Sequence, residues 1–181
     1  MSHWYIIGKH PRGLEYKGLA DWPNVNSIGL NDASYIYGTK YAMTGHWDSL
    51  EFIYQNGYTT NVIIPDTPFE DCIDIKYPAF RIGHALIDTT KDQPYRLVLQ
   101  MVKDAIKKKD RPYFQFWTIL HLAICYVLIQ GAKEITLIGC NQTDGTLYGM
   151  LPGERMDYQY RHTVMMLKAC KQNRIKVNWL K

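Results

Sequence analysis

Four short stretches of this chain carry more polar side chains than turns alone require. The first, Gly8-Lys9-His10-Pro11-Arg12-Gly13, sets two glycines around three side chains that can carry positive charge. Such a turn lets backbone N–H groups approach a phosphate while the basic groups neutralise it. It is neither GxGxxG nor the P-loop pattern, so an ordinary strand-to-helix turn is the competing reading. The second, Asn31-Asp32, offers an amide and a carboxylate suited to a base or a ribose. The third holds His46 and Asp48. Asp48 reads as a helix N-cap, and His46 as either a ligand contact or an exposed loop residue. The fourth holds Asn141, Gln142, Asp144 and Tyr148.

Two further histidines lie in predicted helices. His162, beside Arg161 and near Tyr158 and Tyr160, opens the last helix on a polar stretch. An imidazole there can take a hydroxyl proton near neutral pH, which makes His162 the preferred general base. A histidine on a helix surface is the competing reading. His121 sits inside an apolar run and reads first as a core histidine with satisfied hydrogen bonds.

The elements that would position these groups are short apolar strands alternating with helices, the pattern of a parallel sheet. Strands are predicted at Trp4–Ile7, Ser27–Leu30, Tyr41–Thr44, Asn61–Ile64, Glu134–Gly139 and Ile175–Trp179. A helix begins near Asp48, with Glu51 placed for a capping box and Gly57 as its stop. Another runs from Tyr95 to Lys108, with Val98, Met101, Val102, Ala105 and Ile106 on one face. Thr118 to Gln130 is apolar almost all round, which marks a helix buried on several sides. The last helix spans about Tyr158 to Gln172, and Thr67 to Asp92 reads as loop with short extended pieces. Together these predict one α/β domain over residues 1–181, a Rossmann-like, mostly parallel sheet with helices on both faces. In open parallel sheets ligands bind beyond the carboxyl ends of the strands. All four polar stretches fall there.

Composition bounds the partners. The 181 residues suffice for a sizeable core without disulfide staples. The 46% hydrophobic and 21% charged fractions are ordinary for a globular chain. The net charge of +4 is mild, and Lys107 to Lys109 read as a solvated helix end, so no basic surface of nucleic-acid type is expected. Cys72, Cys125, Cys140 and Cys170 form no CxxC pair and no zinc spacing with the histidines, so no metal site is expected. No signal pattern opens the chain and no apolar run reaches the ~20 residues of a membrane span, which makes the cytoplasm the expectation. A homo-oligomer is left open.

The run from Thr118-Ile119-Leu120 through Ala123-Ile124, followed by Gly131-Ala132-Lys133-Glu134-Ile135-Thr136-Leu137-Ile138-Gly139, resembles the core signature of the bacterial sialyltransferases of glycosyltransferase family 42. It is similar, too, to archaeal hydroxymethyl-dihydropterin pyrophosphokinase-like proteins. Gly8-Lys9-His10-Pro11 stands where the family has Gly-Asn-Gly-Pro-Ser, Leu30-Asn31 where it has Cys-Asn, and Gly145-Thr146-Leu147-Tyr148 where it has Gly-x-x-Tyr. The likeness touches about two-thirds of the chain. It departs at Ile119-Leu120 (Ser-Gly in the family), at Gly139-Cys140-Asn141 (Gly-x-Asp) and at His10 (Gly). Counting back from the closing strand puts Asp157, rather than His162, at the position of the family base.

The resemblance implies that Gly8 to Pro11, Asn31 and their neighbours hold a nucleotide, and that Thr118 sits near its phosphates. It implies that Tyr148 steadies the leaving group and that a histidine before the last helix deprotonates the acceptor. The activity implied is metal-independent sugar transfer from a nucleotide-sugar donor, CMP-linked in the sialyltransferases, to a hydroxyl acceptor. Asp144 completes the catalytic candidates, and Asp32, His46 and Asn141 the binding ones. Two rivals stand beside it. One is a pterin-type pyrophosphokinase, which would need a magnesium ion to bridge phosphates. The other is a non-catalytic nucleotide- or protein-binding module on the same fold.

Overall fold

A computed structural model describes residues 2–57, 61–65, 80–82, 84–86, 94–107, 114–116, 118–140 and 154–180, the side chains of Trp47, 80–86, 114–116 and 154–159 excepted. Strand β1 (His3–Ile7) leads through a 3₁₀ segment (Pro11–Tyr16) to β2 (Ser27–Leu30). Helix α1 (Ala33–Tyr37), strand β3 (Tyr41–Met43), helix α2 (Trp47–Gln55) and strand β4 (Val62–Pro65) follow. Then come the three-residue strands β5 (Phe80–Ile82) and β6 (His84–Leu86), helix α3 (Tyr95–Ile106) and β7 (Phe114–Phe116). Helix α4 (Ile119–Ile129), β8 (Glu134–Ile138), α5 (Glu154–Gln172) and β9 (Lys176–Leu180) close the described fold.

Seven strands form one sheet in the order β5-β4-β3-β2-β1-β8-β9, and every pairing in it is parallel. Strands β6 and β7 make a separate parallel pair. The chain builds outward from β1 to β4 in one direction, then returns to add β8 and β9 on the other side of β1. Right-handed crossovers running in opposite directions must lie on opposite faces, and the core divides accordingly. Trp4, Ile6, Ile28, Leu30, Met43, Ile135 and Leu137 face α3, α4 and α5. On the other face, Ile7 and Ile138 pack with Trp22, Ala33 and Tyr37, while Ala42, Val62 and Ile64 meet Leu50 and Ile53 of α2. This is the doubly wound, Rossmann-like α/β architecture expected from the alternation of elements.

Helix α4 explains its own composition. It packs on β1, β2, α3 and β7, and all nine residues from Leu120 to Leu128 are buried. A helix enclosed on several sides has no face for charge. Boundaries elsewhere differ from expectation in three places. Helix α2 is capped by His46, not Asp48. Asp48 lies inside the first turn, its Oδ1 accepting from the Ser49 amide at 2.9 Å. Glu51 bonds Gln55 rather than closing a capping box. Helix α5 begins at Glu154, which places His162 in its third turn rather than at its opening.

Candidate functional site

The order of the sheet reverses at β1, whose neighbours are β2 on one side and β8 on the other. Beyond the carboxyl ends of such strands the connections leave toward opposite faces and open a crevice. The turns after β1 and β8 meet here backbone to backbone. The Gly8 amide donates to the Ile138 carbonyl at 2.8 Å, and the His10 amide to the Gly139 carbonyl at 3.1 Å. A Cβ on Gly8 would lie 2.3 Å from the Gly139 carbonyl oxygen, and one on Gly13 only 2.8 Å from the Tyr37 hydroxyl and 3.0 Å from Gly139 Cα. Gly139 itself has φ +58°. The glycines of the first polar stretch therefore serve this crossing, and their bare faces are filled by the protein's own atoms. His10 is buried and caps the 3₁₀ segment, its Nδ1 accepting from the Arg12 amide at 3.3 Å. Pro11 takes the first position of that segment, on the surface.

From Lys9 a row of polar contacts runs along the carboxyl edge. The Lys9 ammonium lies 3.5 Å from the Asp32 carboxylate, joining the turns after β1 and β2 with both groups partly exposed. Asn31 adopts a left-handed conformation, φ +52°, a region that asparagine enters more easily than most residues. Its amide N–H reaches the Met43 carbonyl at 2.9 Å, and its Oδ1 accepts from the buried Thr44 hydroxyl at 2.9 Å. That hydroxyl also accepts from the His46 amide at 3.1 Å, so the turns after β2 and β3 are tied by one threonine. The His46 side chain is exposed. Next to it, a Cβ on Gly45 would touch Ile119 Cδ1 at 3.8 Å and Pro65 Cγ at 3.9 Å, which brings the start of α4 against the ends of β3 and β4.

Thr118 caps α4 in extended conformation, with no side-chain bond to the helix's own amides. The positive end of the helix dipole thus points at the carboxyl edge. Behind it lies a buried imidazole. His121 Nδ1 is 3.3 Å from the Thr118 hydroxyl and its Nε2 is 2.7 Å from the Thr163 hydroxyl of α5. A neutral ring has one donor and one acceptor, which matches two hydroxyls. Burial, and secondarily the neighbouring His162, push its pKa down to about 3. His162 is itself fully buried between α4 and α5. It belongs to the core behind Thr118 and is not presented on the crevice surface.

Lys9, Asn31, Asp32, His46 and Thr118 are thus linked through contacts that pass by way of Thr44, Gly45 and Ile119. Asn141, Asp144 and Tyr148 lie outside the described residues, as does Gln142, and nothing is described of the Asp157 side chain. Cys140, one residue past the Gly139 turn, is buried, and burial raises its thiol to about 12, far from a nucleophile's range. Thr44 and Thr163 escape sequence reasoning, because a single hydroxyl at a strand end or on a helix has no periodic signature. Among the described residues no group of three or more His, Cys, Asp or Glu is placed to hold a metal ion. No described helix is long and apolar enough to cross a membrane. The fold and this edge define a doubly wound α/β protein with a polar row at its switch point. No family model matches the chain, and no curated protein or solved structure does so either.

Proposed function

We propose that this chain binds a nucleotide-sugar across the carboxyl edge of its sheet and transfers the sugar to a hydroxyl acceptor without a metal ion. The observation that carries the reading is the row of contacts from Lys9 through Asp32 and Asn31 to Thr44, with the start of α4 close beside Gly45. The helix N-terminus at one end suits a phosphate. The amide, the carboxylate and the cation along the rest of the row suit a ribose and a base. In the reaction the acceptor oxygen attacks the anomeric carbon as the bond to the phosphate oxygen breaks. The phosphate leaves with the bonding electrons, and the acceptor proton passes to a base. The α4 amides would stabilise the departing charge, with Tyr148 assisting as the family resemblance implies.

His162 is buried, so the proposed base is Asp157, the position at which the family resemblance puts it. Chromatographic release of free nucleotide from CMP-, UDP- and GDP-sugars, with EDTA or magnesium present, tests the reading. Turnover of one donor class in EDTA supports it. Turnover only with magnesium, on a pterin and ATP, would transfer the site to pyrophosphoryl chemistry. Binding with no turnover of any donor would leave a nucleotide-binding module. Asp157→Asn should abolish sugar transfer to the acceptor, whereas His162→Gln should lower stability more than turnover.

A further inference from the structure

Among the described residues strand β9 ends the sheet. Its one described neighbour is β8, so among them no partner meets the outer row of its backbone N–H and C=O groups. Exposed edges of this kind are usually blunted by a lysine, a proline or a bulge. The lysine of β9, Lys176, is held at 2.8 Å by Glu134 on the neighbouring strand, and Val177 to Leu180 carry no guard. Beside this edge lies an open groove of about 620 Å³ between β9 and α5. Tyr160, Val164, Leu167 and Trp179 form its apolar part, with the Tyr160 and Trp179 rings 5.8 Å apart, and Lys168 and Lys171 stand on its rim. Val164 is 43% exposed although it is a helical valine beside a buried leucine. The Lys168 ammonium rests 5.1 Å over the Tyr95 ring, and Gln172 accepts from the Tyr95 hydroxyl, so the α3 side of the rim is fixed.

The described charge on this rim is positive: Lys168 and Lys171 are exposed on it, and the sequence from Tyr160 to Leu180 holds no Asp or Glu. We propose that an extended acidic peptide adds to the β9 edge as a further strand. One large apolar side chain would seat against Trp179 and Tyr160, with a carboxylate further along the same face of the strand, on the side toward Lys168 and Lys171. A peptide backbone is the partner because only another backbone continues the ladder, while alternate side chains enter the groove on one face. Two copies of this chain joined edge to edge would bring like-charged rims together.

Fluorescence anisotropy on the full chain tests this with a labelled heptapeptide of sequence TETFTET, its basic counterpart TKTFTKT, and TETFTET methylated on alternate backbone nitrogens. The acidic peptide should bind saturably and about tenfold tighter than the basic one, a preference that the double variant K168E/K171E should reverse. Backbone methylation should abolish binding. Both lysines are exposed, so the variant folds, and its melting curve checks that. Three results overturn the proposal: no saturable binding of TETFTET, equal binding of the methylated peptide, or an oligothymidylate that outcompetes it and is itself lost in K168E/K171E. A concentration-dependent dimer broken by Val164→Asp would overturn it as well, in favour of a second copy.

Discussion

Gly8 and Gly139 approach each other closely at the carboxyl edge of the sheet, and the consequence at this scale is steric. The carbonyl that a Gly8 Cβ would strike belongs to a backbone already bonded to His10, so it cannot turn aside. Gly8→Ala should cost about 3 kcal/mol or prevent folding, read as a shift in the urea midpoint. A stability within about 0.5 kcal/mol of the parent would mean that the two turns do not cross as described. Thr44→Val removes the hydroxyl that holds Asn31 Oδ1 and the His46 amide, and should cost about 1–3 kcal/mol. Single residues were unevenly legible. The placement of Lys9, Asn31 and Asp32 at the carboxyl edge was legible because polar residues just past a parallel strand sit there whatever the fold's details. The glycines of the first turn were read as room for a phosphate, but their room is taken by the turn after β8, a contact between residues far apart in sequence. The polar neighbours Tyr158 to Arg161 make His162 an accessible general base, or else a surface histidine, in the sequence, and its burial departs from both readings. Its spacing to Met166, Ala169 and Cys170, all buried, is the inner face of a helix, and that spacing was the available signal.

At the scale of elements, α4 and α5 meet around His121, His162, Thr118 and Thr163. The pKa of His121 is lowered to about 3 in the folded protein, against about 6.5 unfolded. Between those values the unfolded chain binds a proton that the folded chain does not, so stability rises with pH across the window and is lost on acidification. Urea unfolding at pH 7.5, 5.5 and 4.5 should show a loss approaching about 1.4 kcal/mol per pH unit below 6 from this group. His121→Gln should flatten that slope; an unchanged slope would assign the pH dependence to other groups. In the same helix Leu122, fully buried, should cost about 2–5 kcal/mol when changed to Ala. Long elements were legible because burial prints a period on the sequence, and α4 even announced burial on several sides. The 3₁₀ segment, α1 and β7 were not, and β5 and β6 only as unplaced extended pieces within Thr67 to Asp92. Elements of three to six residues complete too little of any period to stand out, and their local geometry follows from what packs on them.

For the molecule as a whole, alternation of strand and helix predicted a parallel, doubly wound sheet, and the sheet has that form. The order of strands was not in the pattern. That β8 returns to the far side of β1 is decided by handed crossovers and by which apolar faces remain uncovered, neither of which is local. Once the order is known, the reversal at β1 marks the carboxyl edge from Lys9 to Thr118 as the crevice of the sheet, where the proposed nucleotide would set its phosphate at the start of α4 and its nucleoside toward Lys9. The most direct test is a thermal-shift titration of the parent and of Lys9→Ala with nucleotides and nucleotide-sugars, with and without magnesium. A ligand at ~100 times its dissociation constant adds about 2.7 kcal/mol to stability. The account predicts a clear, magnesium-independent rise in the parent's melting temperature with one nucleotide class, much reduced in Lys9→Ala. No rise with any nucleotide, or an equal rise in both proteins, would contradict it.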